Sequence, residues 1–407
     1  MHSDLNNFYA SVELLKRPEY KDVPVIVTGS KEDRHGIVLA KNYIAKSFGV
    51  KTGEVIWEAE RKCKNLVSFP ADFASYVRIS EQVRNIYARF TDKIEPFGID
   101  ECWLDVTDSE KLFGGGESIA QQIRAAVKEE IGITVSVGVS YNKVFAKLGS
   151  DMKKPDAVTV ISKDNYKDTV WKLPVEDLLF VGKATKRKLN SLAIYTIGDL
   201  AKTEEKILRS YLGIWGTNLH RFACGEDDSP VEYSRTSKDL KSIGNSLTNY
   251  RDAETVEEVE TLILLLSESV AARLRESGLG KAKTVVLSVE DNSLKWISKQ
   301  TQLDVPSKSA VDIAKCCYRL FRNTYTWEKA VRGVGVAVRD FTMGSEQLTV
   351  DFNAVQNERF ERLDDAVDGI RRKYGNTSVL RARILQDKRL SAVDVKSDHP
   401  LKPENKK

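Results

Sequence analysis

The first 160 residues alternate between apolar runs of strand length and stretches whose apolar positions follow a helical period. The chain opens with an extended segment of apolar and acidic residues at 1–10. The other predicted elements are strands at 23–27, 36–40, 94–97, 99–106 and 134–139 and helices near 10–17, 42–48, 75–91 and 117–130. Together with the first strand, the elements from residue 75 onward predict a split βαβ arrangement with a ferredoxin-like sheet.

The pattern changes twice in the second half of the chain. Residues 161–232 carry short helical stretches, and residues 233–243 are polar and basic without any period, which is typical of a linker. From there to residue 343 the pattern predicts the element order βαββαβ. An amphipathic helix is predicted at 355–374, and the polar tail from residue 386 is expected to be disordered.

Composition narrows the class of protein. The chain has 407 residues, of which 41% are hydrophobic and 30% are charged, so we expect a globular protein of two to four units. The absence of a long apolar run and of an apolar leader argues against membrane insertion and secretion. Five cysteines without CxxC spacing predict reduced thiols in the cytoplasm and argue against zinc, and a net charge of +4 weakly favours an acidic partner.

Two adjacent carboxylates, Asp100 and Glu101, interrupt the predicted strand at 99–106. Adjacent like charges repel unless a cation lies between them, and Asp4 is a third carboxylate in a short extended segment. With few His or Cys residues nearby, such a set favours Mg²⁺ or Mn²⁺ over zinc. Two ions on three carboxylates would form a two-metal phosphoryl-transfer site, whereas the alternative for an Asp-Glu pair alone is a solvated turn.

The residues around these carboxylates resemble a known family. Residues 4–13, Asp-Leu-Asn-Asn-Phe-Tyr-Ala-Ser-Val-Glu, resemble the opening motif of Y-family translesion DNA polymerases of the DinB / DNA polymerase IV type. Gly98-Ile99-Asp100-Glu101 resembles the second catalytic motif of that family, and residues 140–155 resemble its third motif. The resemblance implies an α+β multidomain fold with a palm (1–10 and 72–160), fingers (11–71), a helical thumb (161–232), a linker (233–243), a little finger (244–343), a clamp-binding-like peptide with a C-terminal helix (344–385) and a disordered tail (386–407).

The same resemblance implies roles for residues of the active site. Asp4, Asp100 and Glu101 would be catalytic and hold two Mg²⁺, or Mn²⁺ as a substitute, with help from the backbone carbonyl of Leu5. Asn6, often acidic in relatives, is expected to lie outside this metal set. Tyr9 would be the steric gate that excludes ribonucleotides. The other implied contacts are Phe8, Tyr43, Lys46 and Lys154 with the nucleotide and Ile37 and Leu39 as a roof over the nascent base pair.

Macromolecular partners follow from further motifs. Residues 173–189 resemble a helix-hairpin-helix, which presents backbone N–H groups to a DNA phosphate. The implied DNA contacts are Gly182, Lys183 and Lys186 in the thumb and Lys241, Lys283, Lys295 and Arg332 in or beside the little finger. An extended stretch resembles a peptide that binds a sliding clamp, through Gln347, Leu348, Val350 and Phe352.

The predicted function is template-directed DNA synthesis across lesions by a monomeric enzyme, with primer–template DNA and deoxyribonucleoside triphosphates as substrates. Low fidelity is expected because no segment is left for a proofreading nuclease. Lys46 stands where the family usually has Arg, and Phe180 stands where a hairpin glycine is common. Together with Asn6, these departures leave open a catalytically weak scaffold that binds DNA and clamp. A nucleotidyl cyclase with a similar palm is a second alternative.

Overall fold

The computed structural model describes residues 1–29, 36–232, 240–342 and 354–394, with side chains from residue 359 in the last range. The described part of the chain divides into two compact units. The first comprises residues 1–28 and 37–232, and the second comprises residues 240–342 and 354–394.

The first unit contains two sheets. Its strands are β1 (His2–Leu5), β2 (Val25–Thr28), β3 (Val38–Lys41), β4 (Val67–Pro70), β5 (Ile94–Pro96), β6 (Glu101–Leu104), β7 (Val135–Ser140) and β8 (Val158–Ile161). Its helices are α1 (Phe8–Lys16), α2 (Tyr43–Ser47), α3 (Ile56–Lys62), α4 (Phe73–Tyr87), α5 (Glu110–Phe113), α6 (Gly116–Glu130), α7 (Lys143–Met152), α8 (Tyr166–Thr169), α9 (Lys183–Asn190), α10 (Ile197–Lys202), α11 (Glu205–Leu212) and α12 (Ile214–Ala223).

The larger sheet has five strands in the order β5-β6-β1-β7-β8, and β1 pairs antiparallel with both β6 and β7. Because side chains alternate across a strand, each face of this sheet has its own contacts. Leu5, Leu104 and Val137 belong to a core that also contains residues of α4 and α6. The opposite face lies against α7, where His2 of β1 contacts Ser150. This arrangement confirms the predicted ferredoxin-like palm.

Two smaller cores complete the first unit. The three-stranded sheet β3-β2-β4 packs against α2 and α3 around Ile26, Val38 and Ala59. Asn42 caps α2 by accepting a hydrogen bond from the Ala45 N–H at 2.9 Å, which fixes the start of that helix. The helices α9 to α12 share a third core with α7, as a helical thumb requires.

The second unit has the predicted βαββαβ order. Its elements are β9 (Ser242–Ala253), α13 (Val256–Ser277), β10 (Lys281–Asp291), β11 (Trp296–Ser307), α14 (Ala310–Thr324), β12 (Val331–Thr342), α15 (Ala354–Tyr374) and α16 (Ala382–Leu385). The sheet order is β11-β10-β12-β9, with α13 and α14 sharing the sheet's hydrophobic core. Thr255 and Glu258 form a capping box at the start of α13. In the described ranges, no helix is long and apolar enough to cross a membrane.

The prediction of a disordered tail from residue 386 was wrong for residues 386–394. Leu390 is buried in the core of the second unit, and Asp387 accepts a hydrogen bond from the Tyr250 hydroxyl at 3.0 Å. Upstream, Arg381 contacts both Glu268 of α13 and Asp364 of α15. A hydrogen bond from Tyr250 and the apolar contacts of Leu390 and Val393 therefore hold a segment whose composition alone predicts disorder.

Gly138 sets the distance between β7 and α7. A Cβ atom at this position would lie 1.9 Å from the Ala146 carbonyl oxygen and 2.5 Å from the Ser150 nitrogen, both of which are backbone atoms. We expect Gly138→Ala to lower the free energy of unfolding by roughly 2–3 kcal/mol or more, because the helix must shift. The measurement is denaturant unfolding. Gly369→Ala in α15 is the control, since nothing lies within 4 Å of its Cβ position, and an unchanged Gly138→Ala stability would contradict the expectation.

Candidate active site

The three predicted catalytic carboxylates lie on or next to two adjacent strands, Asp4 in β1, Glu101 at the start of β6 and Asp100 directly before it. The β1–β6 register places Asp4 opposite Glu101, and the Leu5 N–H donates to the Asp100 carbonyl at 3.0 Å. The Asp4 residue is 6% exposed, so its carboxylate is largely withdrawn from water. Strand pairing thus brings the first residues of the chain to groups about a hundred positions later. Leu5 as a whole is buried, at 4% exposed.

Two residues without a predicted role in the active site contact Glu101. Lys147 of α7 places its Nζ atom 3.1 and 3.0 Å from the two carboxylate oxygens. His2 is fully buried, with Nε2 3.4 Å from Glu101 Oε2 and Nδ1 2.8 Å from Ser150 Oγ. Because Ser150 Oγ donates its own proton to the Lys147 carbonyl at 2.7 Å, it accepts from His2 Nδ1. His2 and Asp4 lie on the same face of β1, and their two-residue spacing is the sequence signal that could have indicated His2 as a neighbour of the carboxylates.

The lysine predicted to bind phosphates lies beside Asp4. Lys154 Nζ is 2.8 Å from Asp4 Oδ2 and 2.9 Å from Asp151 Oδ1. Burial raises the pKa of the Tyr43 hydroxyl, with the charge of Lys154 opposing this shift and that of Asp4 adding to it. Lys46 Nζ is 5.6 Å from the centre of the Tyr43 ring. The structure therefore places Tyr43, Lys46 and Lys154 in one neighbourhood near Asp4.

The pKa values of the carboxylates reflect crowding of negative charge. Burial is the main cause that raises the pKa of Asp4 to about 7, and the charge of Glu101 contributes. Burial and the Glu101 charge also raise the pKa of Asp100. Burial works against the charged form of Glu101, but His2 and Lys147 outweigh it and lower the pKa to about 2. The charges of Asp4, Asp100, Glu101 and the neighbouring Asp151 exceed those of the two lysines.

The donor set suits a hard divalent cation. Its side-chain atoms are carboxylate oxygens, while the adjacent Cys102 lies in the core. Among the described residues, no three or more His, Cys, Asp and Glu side chains converge as a formed metal centre would require. Two of the carboxylates are instead paired with lysines, Asp4 with Lys154 and Glu101 with Lys147. The surplus of buried negative charge nevertheless fits a bound cation.

Tyr9 stands at the edge of this carboxylate cluster. Its ring stacks on Tyr76 with centroids 4.3 Å apart and an interplanar angle of 10°. Burial raises the pKa of the Tyr9 hydroxyl, and the charge of Asp100 adds to the shift, so the hydroxyl lies within electrostatic range of Asp100. Phe8, in contrast, is 3% exposed and belongs to the palm core. The Phe8 side chain therefore packs in the palm core, and its nucleotide contact stays a prediction.

Comparison with known proteins connects this geometry to a family. The impB/mucB/samB family profile matches residues 3–151, and the profile of its C-terminal domain matches residues 240–350. The chain is 50% identical over 395 residues to DNA polymerase IV of Acetivibrio thermocellus, covering 97% of this chain and 99% of the relative. It is 35% identical to DNA polymerase IV of Clostridium acetobutylicum, covering 95% and 98% of the two chains.

Solved structures agree with the sequence relatives. A Y-family DNA polymerase chimera matches with a TM-score of 0.74 and 26% identity, over 84% of this chain and 99% of that chain. The chain belongs to the Y family of DNA polymerases. Membership makes it a DNA-directed DNA polymerase of the translesion type. DinB from Sulfolobus solfataricus matches with a TM-score of 0.57 and 27% identity, also over 84% of this chain and 99% of that chain.

The structure also places Ile37 and Leu39, predicted to cover the nascent base pair of the polymerase, and Asn6 of the palm. Ile37 forms a bridge with Val55, and Leu39 lies half-buried in β3. Asn6 is 2% exposed, and its side-chain amide is bonded to Ser136, Thr134 and the Asp156 backbone. Its amide groups are thus engaged by protein, in line with the expectation that Asn6 lies outside the metal set.

The predicted DNA contacts of the polymerase fall in both units. In the first unit, Gly182 precedes α9, Lys183 is exposed and Lys186 pairs with Glu176. Phe180 has a φ of 72°, so the hairpin has a left-handed backbone conformation at this position. A glycine would adopt this conformation without strain. In the second unit, Lys241, Lys283 and Lys295 are exposed, and Arg332 lies 3.5 Å from Glu290. The clamp-binding candidates Gln347, Leu348, Val350 and Phe352 lie outside the described residues.

Asp4 makes stability depend on pH. Because its folded-state pKa of about 7 exceeds the ordinary 3.8, the folded polymerase loses stability as pH rises between these values. We expect Asp4→Asn to raise the unfolding midpoint by about 2–4 °C or more at pH 8 without divalent ions, and by less at pH 5. Thermal unfolding at the two pH values measures this difference. The control is Asp164→Asn at an exposed position, which should leave the unfolding midpoint unchanged at both pH values. An equal gain of Asp4→Asn at pH 8 and pH 5 would show that ionisation of Asp4 does not cause the pH dependence.

Proposed function

We propose that the polymerase extends a DNA primer along a template with Asp4, Asp100 and Glu101 as its catalytic carboxylates. The observation that carries the proposal is the β1–β6 register, which pairs Asp4 with Glu101 and leaves Asp100 beside them. Buried carboxylates with perturbed pKa values are typical of functional sites. Lys154 at the same place is suited to an anionic substrate.

Y-family polymerases depend on divalent metal ions. We assign two Mg²⁺, or Mn²⁺ in their place, to Asp4, Asp100, Glu101 and the backbone carbonyl of Leu5. Bound ions of this kind lower the pKa of a primer 3′-hydroxyl and neutralise a triphosphate. The raised pKa of Asp4 supports the assignment, because a cation would favour the charged carboxylate that burial disfavours.

Residues of the fingers and palm would bind the triphosphate. Lys154 and Lys46 supply positive charge, and Tyr43 supplies a hydroxyl donor near both. The N-terminus of α1 begins at Phe8, four residues after Asp4, and the N–H groups at a helix N-terminus favour anions. In this proposal Phe8 contributes its backbone, while its side chain packs in the palm core.

Tyr9 would select the sugar of the incoming nucleotide. Its ring lies near Asp100 and stacks on Tyr76, so a 2′-hydroxyl directed at it would meet a packed surface. Ile37 and Leu39 would cover the nascent base pair from the fingers. Both residues are half-buried, which leaves part of each available for a contact.

Duplex DNA would be held through its phosphates. Gly182 and Lys183 lie at the N-terminus of α9, and the exposed Lys241, Lys283 and Lys295 offer further positive charge. Lys186 and Arg332 complete the proposed set. We assign a sliding clamp to residues 347–352 on the sequence alone, together with a monomeric state and a cytoplasmic location.

Asp100→Ala should lower the rate of primer extension by about 100-fold or more while leaving binding of primer–template DNA within a factor of about two. The reason is that the carboxylate acts on the reacting groups and not on the duplex. Single-nucleotide extension and fluorescence anisotropy measure the two properties. Asp108→Asn is the matched control, since the Asp108 side chain is 81% exposed. Tight DNA binding without extension by the wild-type chain, with either Mg²⁺ or Mn²⁺, would favour the scaffold instead.

Tyr9→Ala should reduce discrimination against ribonucleotides by roughly 10- to 100-fold. Forcing an extra atom into a packed surface costs about 1–3 kcal/mol, and removal of the ring abolishes that cost. The measurement is the ratio of kcat/KM for a deoxyribonucleotide to that for the matching ribonucleotide. Tyr141→Ala is the control, because Tyr141 is an exposed aromatic residue of the same unit that is not stacked on Tyr76. An unchanged ratio in Tyr9→Ala would remove Tyr9 from sugar selection.

A further inference from the structure

Asn6 uses every polar group of its backbone and side chain within the palm. Its N–H donates to the Thr134 carbonyl at 2.9 Å, and its carbonyl accepts from Ser11 Oγ at 2.7 Å. Its Nδ2 donates to Ser136 Oγ at 3.0 Å, and its Oδ1 accepts from Thr134 Oγ1 at 3.0 Å and from the Asp156 N–H at 2.9 Å. Asn6 as a whole is 2% exposed, so these hydrogen bonds are shielded from competing water.

One of these bonds reaches the loop that carries Lys154. Residues 153–157 connect α7 to β8, and Asp156 occupies a left-handed conformation with φ of 54°. The Asp156 carboxylate contacts Arg124 at 3.3 Å and Lys128 at 2.8 Å, both on α6, and its carbonyl accepts from Arg124 at 2.7 Å. Asn6 therefore holds the loop from β1, while α6 holds the same residue from the other side.

The position of this contact relates it to the active site. Asn6 lies two residues after Asp4, and Asp156 lies two residues after Lys154. Lys154 Nζ is 2.8 Å from Asp4 Oδ2. Residues 4–6 therefore contact residues 154–156 twice, through Asp4 with Lys154 and through Asn6 with Asp156. A lysine side chain is long and flexible, and its placement depends on where its backbone is fixed.

We propose that Asn6 is a positioning residue, which acts through Asp156 to hold the Lys154 loop at the distance where the ammonium group meets the triphosphate. This inference rests on the proposed role of Lys154 in nucleotide binding. Asn6 itself touches neither metal nor substrate. The Asn6–Asp156 hydrogen bond is the link, and its loss leaves Asp156 attached to α6 but no longer to Asn6.

A double-mutant cycle tests the link. Asn6→Ala should raise KM for the incoming deoxyribonucleotide by about tenfold, the effect of one buried hydrogen bond, with kcat within about twofold. Lys154→Ala should raise the same KM. Adding Asn6→Ala to Lys154→Ala should then raise KM no further, because the group being positioned is gone. A purely structural effect of Asn6 would instead persist in the double variant.

Matched variants separate the loop contact from general damage to the palm. Ser136→Ala removes another hydrogen bond of Asn6 without touching the loop, and it should leave KM unchanged. If Asn6→Ala does not fold, Asp156→Gly weakens the other attachment of the loop without strain at its positive φ, because it removes the carboxylate contacts with Arg124 and Lys128 and keeps the backbone bonds. This variant should also raise KM only when Lys154 is present.

The outcomes are distinct. An unchanged KM in Asn6→Ala, or an equal increase with and without Lys154, would overturn the positioning role. An unchanged KM in Lys154→Ala would overturn the proposed function of Lys154 and the inference that depends on it. A raised KM in both single variants without a further increase in the double variant supports both statements.

Discussion

The pairing of β1 with β6 is the constraint from which the rest of the active site follows. It sets Asp4 against Glu101 with Asp100 beside them, in a place where burial makes each negative charge costly. The surrounding residues compensate in different ways. Lys147 and Lys154 neutralise two of the carboxylates, and His2 lies between Glu101 of β6 and Ser150 of α7. The site is therefore an electrostatic balance built on strand register.

Close packing makes that balance possible. Lys147 and Ser150 reach the sheet because α7 lies against β7, and this approach requires Gly138, whose added Cβ would overlap the Ala146 carbonyl. A wider separation would draw the ammonium group away from Glu101 and leave a buried carboxylate without its counter-charge. Steric fit at a glycine without any chemistry of its own thus supports the contact between Lys147 and Glu101, a carboxylate two strands away from β7.

Sequence patterns predicted much of this molecule because periodicity reports burial. The ferredoxin-like palm and the βαββαβ unit follow from it, and the three motifs identified Asp4, Asp100 and Lys154. The pattern could not report contacts. His2 and Lys147 were missed because partners distant in sequence decide whether a polar residue is buried. The motif could not show that the Phe8 side chain packs in the palm core, because neighbouring helical positions point in different directions and their partners decide which one is buried. The segment at 386–394 has a disordered composition, yet Leu390 is buried.

The proposed sugar selection depends on rigidity as well as on shape. A wall that could move aside would exclude nothing, because a 2′-hydroxyl would displace it at little cost. The Tyr9 ring is supported by Tyr76, whose hydroxyl donates to Glu13 at 2.9 Å. Glu13 is buried and paired with both Lys16 and Arg17 of the same helix region. The wall behind the proposed gate is thus anchored through a buried carboxylate on α1, the helix that also carries Tyr9, so the gate and its support are tied to the same helix.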